Sequence, residues 1–61
     1  MNEQPARLLC SIHDAAHSLA VSRSKAYELI SEGRLITVTI GRRRLVRTDS
    51  VRAIANGEND Q

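Results

Sequence analysis

The chain reads as one small α+β domain, mainly helical with a β-hairpin, in the order helix, helix, hairpin, helix. Three observations predict this. A length of 61 residues leaves room for a single small domain, near the lower limit at which an apolar core folds unaided. Two short segments with apolar residues at helical spacing, each opened by a serine, are joined by only a tight connection at Ala20-Val21. An alternating run, Thr37-Val38-Thr39-Ile40, is followed by Gly41 and a second β-prone piece. Hydrophobic residues make up 41% of the chain but aromatics only 2%, so the core must be built from Leu, Ile, Val and Ala, and marginal stability is expected.

Residues 1–8 read as a flexible start, because Met1 to Arg7 is polar, contains Pro5 and lacks periodicity. Order is expected to begin near Leu8 or Leu9. Ser11 followed three residues later by Asp14 resembles a capping box, weakened by the short Asp side chain, so the first helix opens at Ile12. Ile12, Ala15, Ala16 and Leu19 form one stripe, while His13, Asp14, His17 and Ser18 face away from it. The two alanines let another helix approach closely. Ser22 caps a second helix from Arg23 to about Glu32, whose apolar Ala26, Leu29 and Ile30 oppose Ser24, Tyr27, Glu28 and Ser31. Gly33 supplies the left-handed position that ends it. Two helices about so short a turn make a helix-turn-helix unit.

The hairpin runs from Thr37-Ile40 to Leu45-Val46-Arg47 across Gly41-Arg42-Arg43, with glycine permitting positive φ in the loop. Thr48 is expected to cap a third helix, Asp49 to about Ala55, in which Asp49 suits the helix dipole and Val51, Ile54 and Ala55 close the core. Asn56-Gly57 stops that helix. The expected division is a start over 1–8, a folded domain over 9–55 and a tail over 56–61.

The formal net charge is +2, yet its distribution is uneven. Between Ala20 and Arg52 stand Arg23, Lys25, Arg34, Arg42, Arg43, Arg44, Arg47 and Arg52 against Glu28, Glu32 and Asp49, a net +5. Such asymmetry points to a polyanionic partner. A recognition helix exposes short polar and basic side chains near its N-terminus, where free N–H groups also suit phosphate. Ser22, Arg23, Ser24, Lys25 and Tyr27 meet that requirement. Arginine can read guanine bidentately, while serine and tyrosine hydroxyls reach bases or backbone. Arg42, Arg43 and Arg44 at the hairpin tip would reach phosphates or a narrow minor groove, and Arg34 joins the same DNA-binding set. A solvated basic face is the plain alternative for the helix alone. Three consecutive arginines in a tight loop weigh against it, since they repel one another unless an anion offsets them.

Other chemistry is weakly represented. No face carries a nucleophile with a base, so no enzyme is expected. His13 and His17 share a helix face at a spacing that metal sites use, but a closed site needs a fourth ligand and Cys10 precedes the cap. The histidines read as exposed side chains, Cys10 as a small apolar residue, and neither metal nor cofactor is expected. A lone cysteine allows no internal disulfide, and there is no signal-peptide pattern or apolar span long enough for a membrane. A cytoplasmic setting is the expectation.

Ser11 to Leu35, with Asp14-Ala15-Ala16, Leu19-Ala20-Val21-Ser22-Arg23-Ser24, Tyr27-Glu28-Leu29-Ile30 and Glu32-Gly33-Arg34-Leu35, resembles the excisionase-type winged helix-turn-helix domains, distant relatives of the MerR regulators. Val38, Ile40-Gly41-Arg42-Arg43 and Val46 continue the match through the wing, so it covers most of Leu9 to Ile54. The resemblance implies a second helix in the major groove of double-stranded DNA and a wing on the adjacent minor groove. It implies a nucleoid-associated protein of a bacterium, phage or mobile element. Its expected role is that of a recombination directionality factor working with a site-specific recombinase or integrase. A small transcriptional regulator with the same binding mode is the alternative, and a basic module that meets an acidic protein is a further one. Departures from the family pattern are Ile36 where proline is common, Thr39 in the first wing strand, Arg44 where an aromatic is common and Leu45 where a polar residue is. With Val46 facing the core, Leu45 is expected to point outward. A single exposed leucine is ordinary. Together with Ile36, however, it offers a self-association contact between copies on tandem DNA sites.

Overall fold

In the computed structural model, which describes residues 7–57, six elements follow one another. They are β1 (Leu9–Ser11), α1 (Ile12–Leu19), α2 (Arg23–Ser31), β2 (Thr37–Ile40), β3 (Arg43–Arg47) and α3 (Thr48–Ala55). Most of the expected start and tail, residues 1–6 and 58–61, lies outside the described residues. The helix, helix, hairpin, helix order is present, and the architecture is that of a winged helix-turn-helix.

Local hydrogen bonds explain the helix ends. Ser11 Oγ accepts from the Asp14 N–H at 2.9 Å and Ser22 Oγ from the Lys25 N–H at 3.1 Å, each satisfying one of the unpaired donors of a first turn. Both helices close in a Schellman motif. At α2, Arg34 N–H donates to the Leu29 carbonyl and Gly33 N–H to that of Ile30, with Gly33 at φ +79°. At α1, Val21 donates to Ala16 and Ala20 to His17 in the same pattern, but the left-handed residue is Ala20, at φ 58°. An alanine there carries the Cβ strain that glycine avoids.

The three strands form an antiparallel sheet in the order β1-β3-β2. Cys10, Val46 and Thr37 stand in one row facing the helices. Ser11, Leu45 and Val38 stand in another on the opposite face. The core comprises Ile12, Ala15, Ala16, Ala26, Leu29, Leu35 and Val46, with Leu19, Val21, Ile30, Val51 and Ile54 packed around it. Among the described residues Leu35 and Val46 are the largest fully buried side chains, each contributing about 1.5–3 kcal/mol by burial. Ala15 and Ala26 are fully buried where α1 and α2 meet, the close approach that small side chains permit.

Several expectations are corrected. β1 was not expected; three residues are too few for a periodic signal, and its pairing with β3 joins segments far apart in sequence. The arginine triplet does not sit together in a loop. Ile40 pairs with Arg43 and Thr39 with Arg44, so the turn is Gly41-Arg42 alone, with Gly41 at φ +61° in the first loop position that a type II′ turn reserves for glycine. Arg43 and Arg44 therefore belong to β3 and alternate between its faces. Thr48 does not cap α3. It is the first helical residue, Arg47 occupies the cap position, and the Thr48 hydroxyl donates to the Arg7 carbonyl. Ala55 is exposed, and Ser50 is the buried residue of that helix.

Ser50 ties the hairpin to α3. Its hydroxyl donates to the Arg47 carbonyl at 2.7 Å and accepts from the Ile36 N–H at 3.1 Å. Next to it, the Arg47 N–H donates to the Ile36 carbonyl. The root of the hairpin is thus fixed to the helix that follows it.

Candidate nucleic-acid interface

Arg23 opens α2 and Tyr27 lies one turn later, on the face away from buried Ala26 and Leu29. Pairing of Ser11 with Leu45 sets the start of α1 beside β3, just where β1 ends and residues 43 and 44 have no strand on that side. These two facts create a groove. About 250 Å³ in volume, it is lined by Ser11, Ile12 and His13 from the β1–α1 junction, Arg23 and Tyr27 from α2, and Arg43, Arg44 and Leu45 from β3.

Three arginines make the groove basic. Among the described residues, no carboxylate pairs with Arg23, Arg42, Arg43 or Arg44. Ion pairs instead join Arg7 to Asp14, Lys25 to Glu28 and Arg47 to Asp49, all on exposed surface. Arginines that line a concave surface with no carboxylate partner among the described residues suit an anion with spaced charges, such as a phosphodiester chain.

The expected site residues divide into groups. Arg23, Tyr27, Arg43 and Arg44 come together in the groove. Ser22, Ser24 and Lys25 are exposed at the start of α2 beside it. The Ser22 oxygen is engaged as a cap and Lys25 Nζ lies 3.0 Å from Glu28 Oε1, so an anion must compete with that pair for the ammonium. Arg42 occupies the turn, exposed. Arg34 stands apart. It is half-buried, with its Nε buried and without a hydrogen-bond partner among the described residues, in a separate hollow lined also by Gly33, Ile36, Arg47, Asp49, Ser50 and Ala53. Sequence reasoning missed Ser11 and His13 as groove residues, since only the unforeseen β1–β3 pairing brings them there.

Leu45 faces away from the core row as expected but is half-buried between its neighbours Ser11 and Val38. Ile36, 44% exposed, and Ile40, 55% exposed, lie on the same face by alternation. His17 lies in the first-turn-to-last-turn hollow between α1 and α3 with Cys10 and Asp14. Burial pushes the Cys10 thiol up, the Asp14 charge adds to this and Arg7 opposes it, so the thiol is a weak nucleophile. Among the described residues no group of three His, Cys, Asp or Glu side chains could hold a metal ion, and no helix is long and apolar enough to cross a membrane.

The family model described as a helix-turn-helix domain matches residues 9–58. This chain belongs to the helix-turn-helix domain family. It is also similar to a protein described as a probable excisionase from Saccharopolyspora erythraea, 42% identical over 45 residues, which cover 72% of this chain and 46% of that protein. The chain spans a little under half the length of that relative. No solved structure matches. The excisionase-type resemblance carried by Ser11 to Leu35 agrees with both matches. Within the matched helix-turn-helix domain, α2 is the second helix of the unit.

Proposed function

We propose that this chain binds double-stranded DNA as an excisionase-like recombination directionality factor, with α2 in the major groove and the β2–β3 hairpin as a wing on the adjacent minor groove and backbone. The observation that carries the reading is the groove in which Arg23 and Tyr27 meet Arg43 and Arg44 with no described carboxylate to neutralise them. Membership of the helix-turn-helix family and similarity to a probable excisionase support it. In this arrangement Ser22, Arg23, Ser24, Lys25 and Tyr27 read bases and position the helix, and Arg42, Arg43 and Arg44 grip phosphates. Arg34, on the far side of the wing root, contributes to the positive field. The partners are duplex DNA and a site-specific recombinase, and copies on tandem sites touch through Ile36 and Leu45.

Footprinting on the genomic DNA around its own gene tests the reading, together with salt titrations of two variants. Arg23→Ala is expected to relax preference at one or two base positions, by about 1–3 kcal/mol if the side chain pairs with guanine. Arg43→Ala is expected to weaken all sequences alike and to flatten the salt slope by about one unit for a lost phosphate contact. An unchanged salt slope would remove the wing from the interface. Protection beside a recombination site, with stimulation of excision by the neighbouring recombinase, is the expected outcome; protection confined to a promoter would make the protein a transcriptional regulator.

A further inference from the structure

His13 is the one histidine that lines the groove. It sits at the start of α1, exposed, in the concavity that also holds Arg23 and Tyr27 of α2 and Arg43 and Arg44 of β3. On its own helix the charged or titratable neighbours are Asp14, which lies 3.7 Å from Arg7, and His17, which lines a different hollow on the α3 side. No other histidine lines the groove, whose remaining charged side chains are the arginines Arg23, Arg43 and Arg44.

We propose that His13 contacts a DNA phosphate held between the recognition helix and the wing, and that it takes up a proton when the duplex binds. This rests on the DNA-binding reading above and adds to it a residue and a regulation. The physical argument is one of place. A phosphate seated between Arg23 of α2 and Arg43 or Arg44 of β3 meets His13, which lines the same groove from the start of α1. An adjacent anion favours the charged ring, so the bound state holds the proton more tightly than the free state. By linkage, affinity then rises as pH falls through the histidine range, by at most tenfold per pH unit for one proton.

The test uses the full chain and a fluorescently labelled mixed-sequence duplex at fixed ionic strength, with anisotropy read from about pH 8 to about pH 5.5. Wild-type affinity is expected to rise by about three- to tenfold across that range. His13→Gln is expected to bind with a pH dependence reduced by that amount, while His17→Gln keeps the wild-type profile. The imidazole signals of His13, followed by NMR, are expected to titrate at higher pH with duplex than without. If His13→Gln retains the wild-type profile, or the His13 signals titrate alike with and without duplex, the assignment of His13 fails and the DNA-binding reading stands. If wild type binds no duplex at any pH, both fail.

Discussion

Removing the Ser50 hydroxyl tests how the wing is held. The side chain is 7% exposed and makes two hydrogen bonds, donating to the Arg47 carbonyl and accepting from the Ile36 N–H. A neutral hydrogen bond contributes about 1 kcal/mol net, and a buried donor left without an acceptor costs at the upper end of that range or above it. Ser50→Ala is therefore expected to lower stability by about 2 kcal/mol. A domain of this length has a total of only about 3–9 kcal/mol, so the loss is a large fraction. At about 4–8 °C per kcal/mol for a small domain, Tm should fall by about 8–16 °C. Thermal and urea unfolding followed by far-ultraviolet circular dichroism would measure it, with Ser18→Ala on the exposed side of α1 as the control, expected to lie within about 0.5 kcal/mol of wild type. Hydrogen exchange at the Ile36 amide gives a local readout and should accelerate. A loss under about 0.5 kcal/mol with unchanged Ile36 protection would show that the root of the wing is held by other contacts.

Three further outcomes are expected. Ala20→Gly removes the Cβ from a left-handed residue that is exposed and buries nothing, so the variant should be more stable by about 0.5–1 kcal/mol; equal or lower stability in urea would contradict the strain argument. The Asp49 carboxyl is held below the ordinary carboxylate value, chiefly by its hydrogen bonds from Arg47, so its contribution is present above the unfolded value near about pH 4 and is lost as pH falls through the lower folded value. The stability difference between wild type and Asp49→Asn should accordingly shrink below about pH 4, and a difference independent of pH would speak against it. Ile36→Ser, at an exposed position outside the groove, should abolish cooperative binding to tandem sites while sparing single-site affinity, and unchanged cooperativity would remove Ile36 from the contact between copies.

What the sequence made legible was whatever a few neighbouring residues decide. Ser11 and Ser22 cap the helices they precede, and Gly33 and Gly57 end α2 and α3 with positive φ, because these are bonds and backbone conformations set within one turn. The buried stripes of α1 and α2 followed from helical spacing for the same reason. The end of α1 was less visible, since Ala20 takes a conformation that its residue type does not favour. Features that depend on distant partners were hidden. β1 has only three residues and gains its identity from β3, and with it went the position of His13 relative to Arg43. Likewise the arginine triplet read as a loop because nothing local distinguishes Arg43 in a turn from Arg43 paired with Ile40. The basic residues were recognisable by charge, but which of them share a groove depended on these pairings, and Arg34 fell outside it.

The sheet has three strands at its root and two at its tip, since β1 pairs with β3 only from Leu45 to Arg47. It is built as a cantilever. The root is clamped by β1, by Ser50 and by the burial of Val46, whereas Thr39, Ile40, Gly41, Arg42, Arg43 and Arg44 project as a bare ribbon. A two-stranded ribbon has little stability of its own and twists readily, so its free end can bend without disturbing the clamp. Side chains at the tip can therefore be exchanged at little cost to folding, and changes at the root will register first as instability.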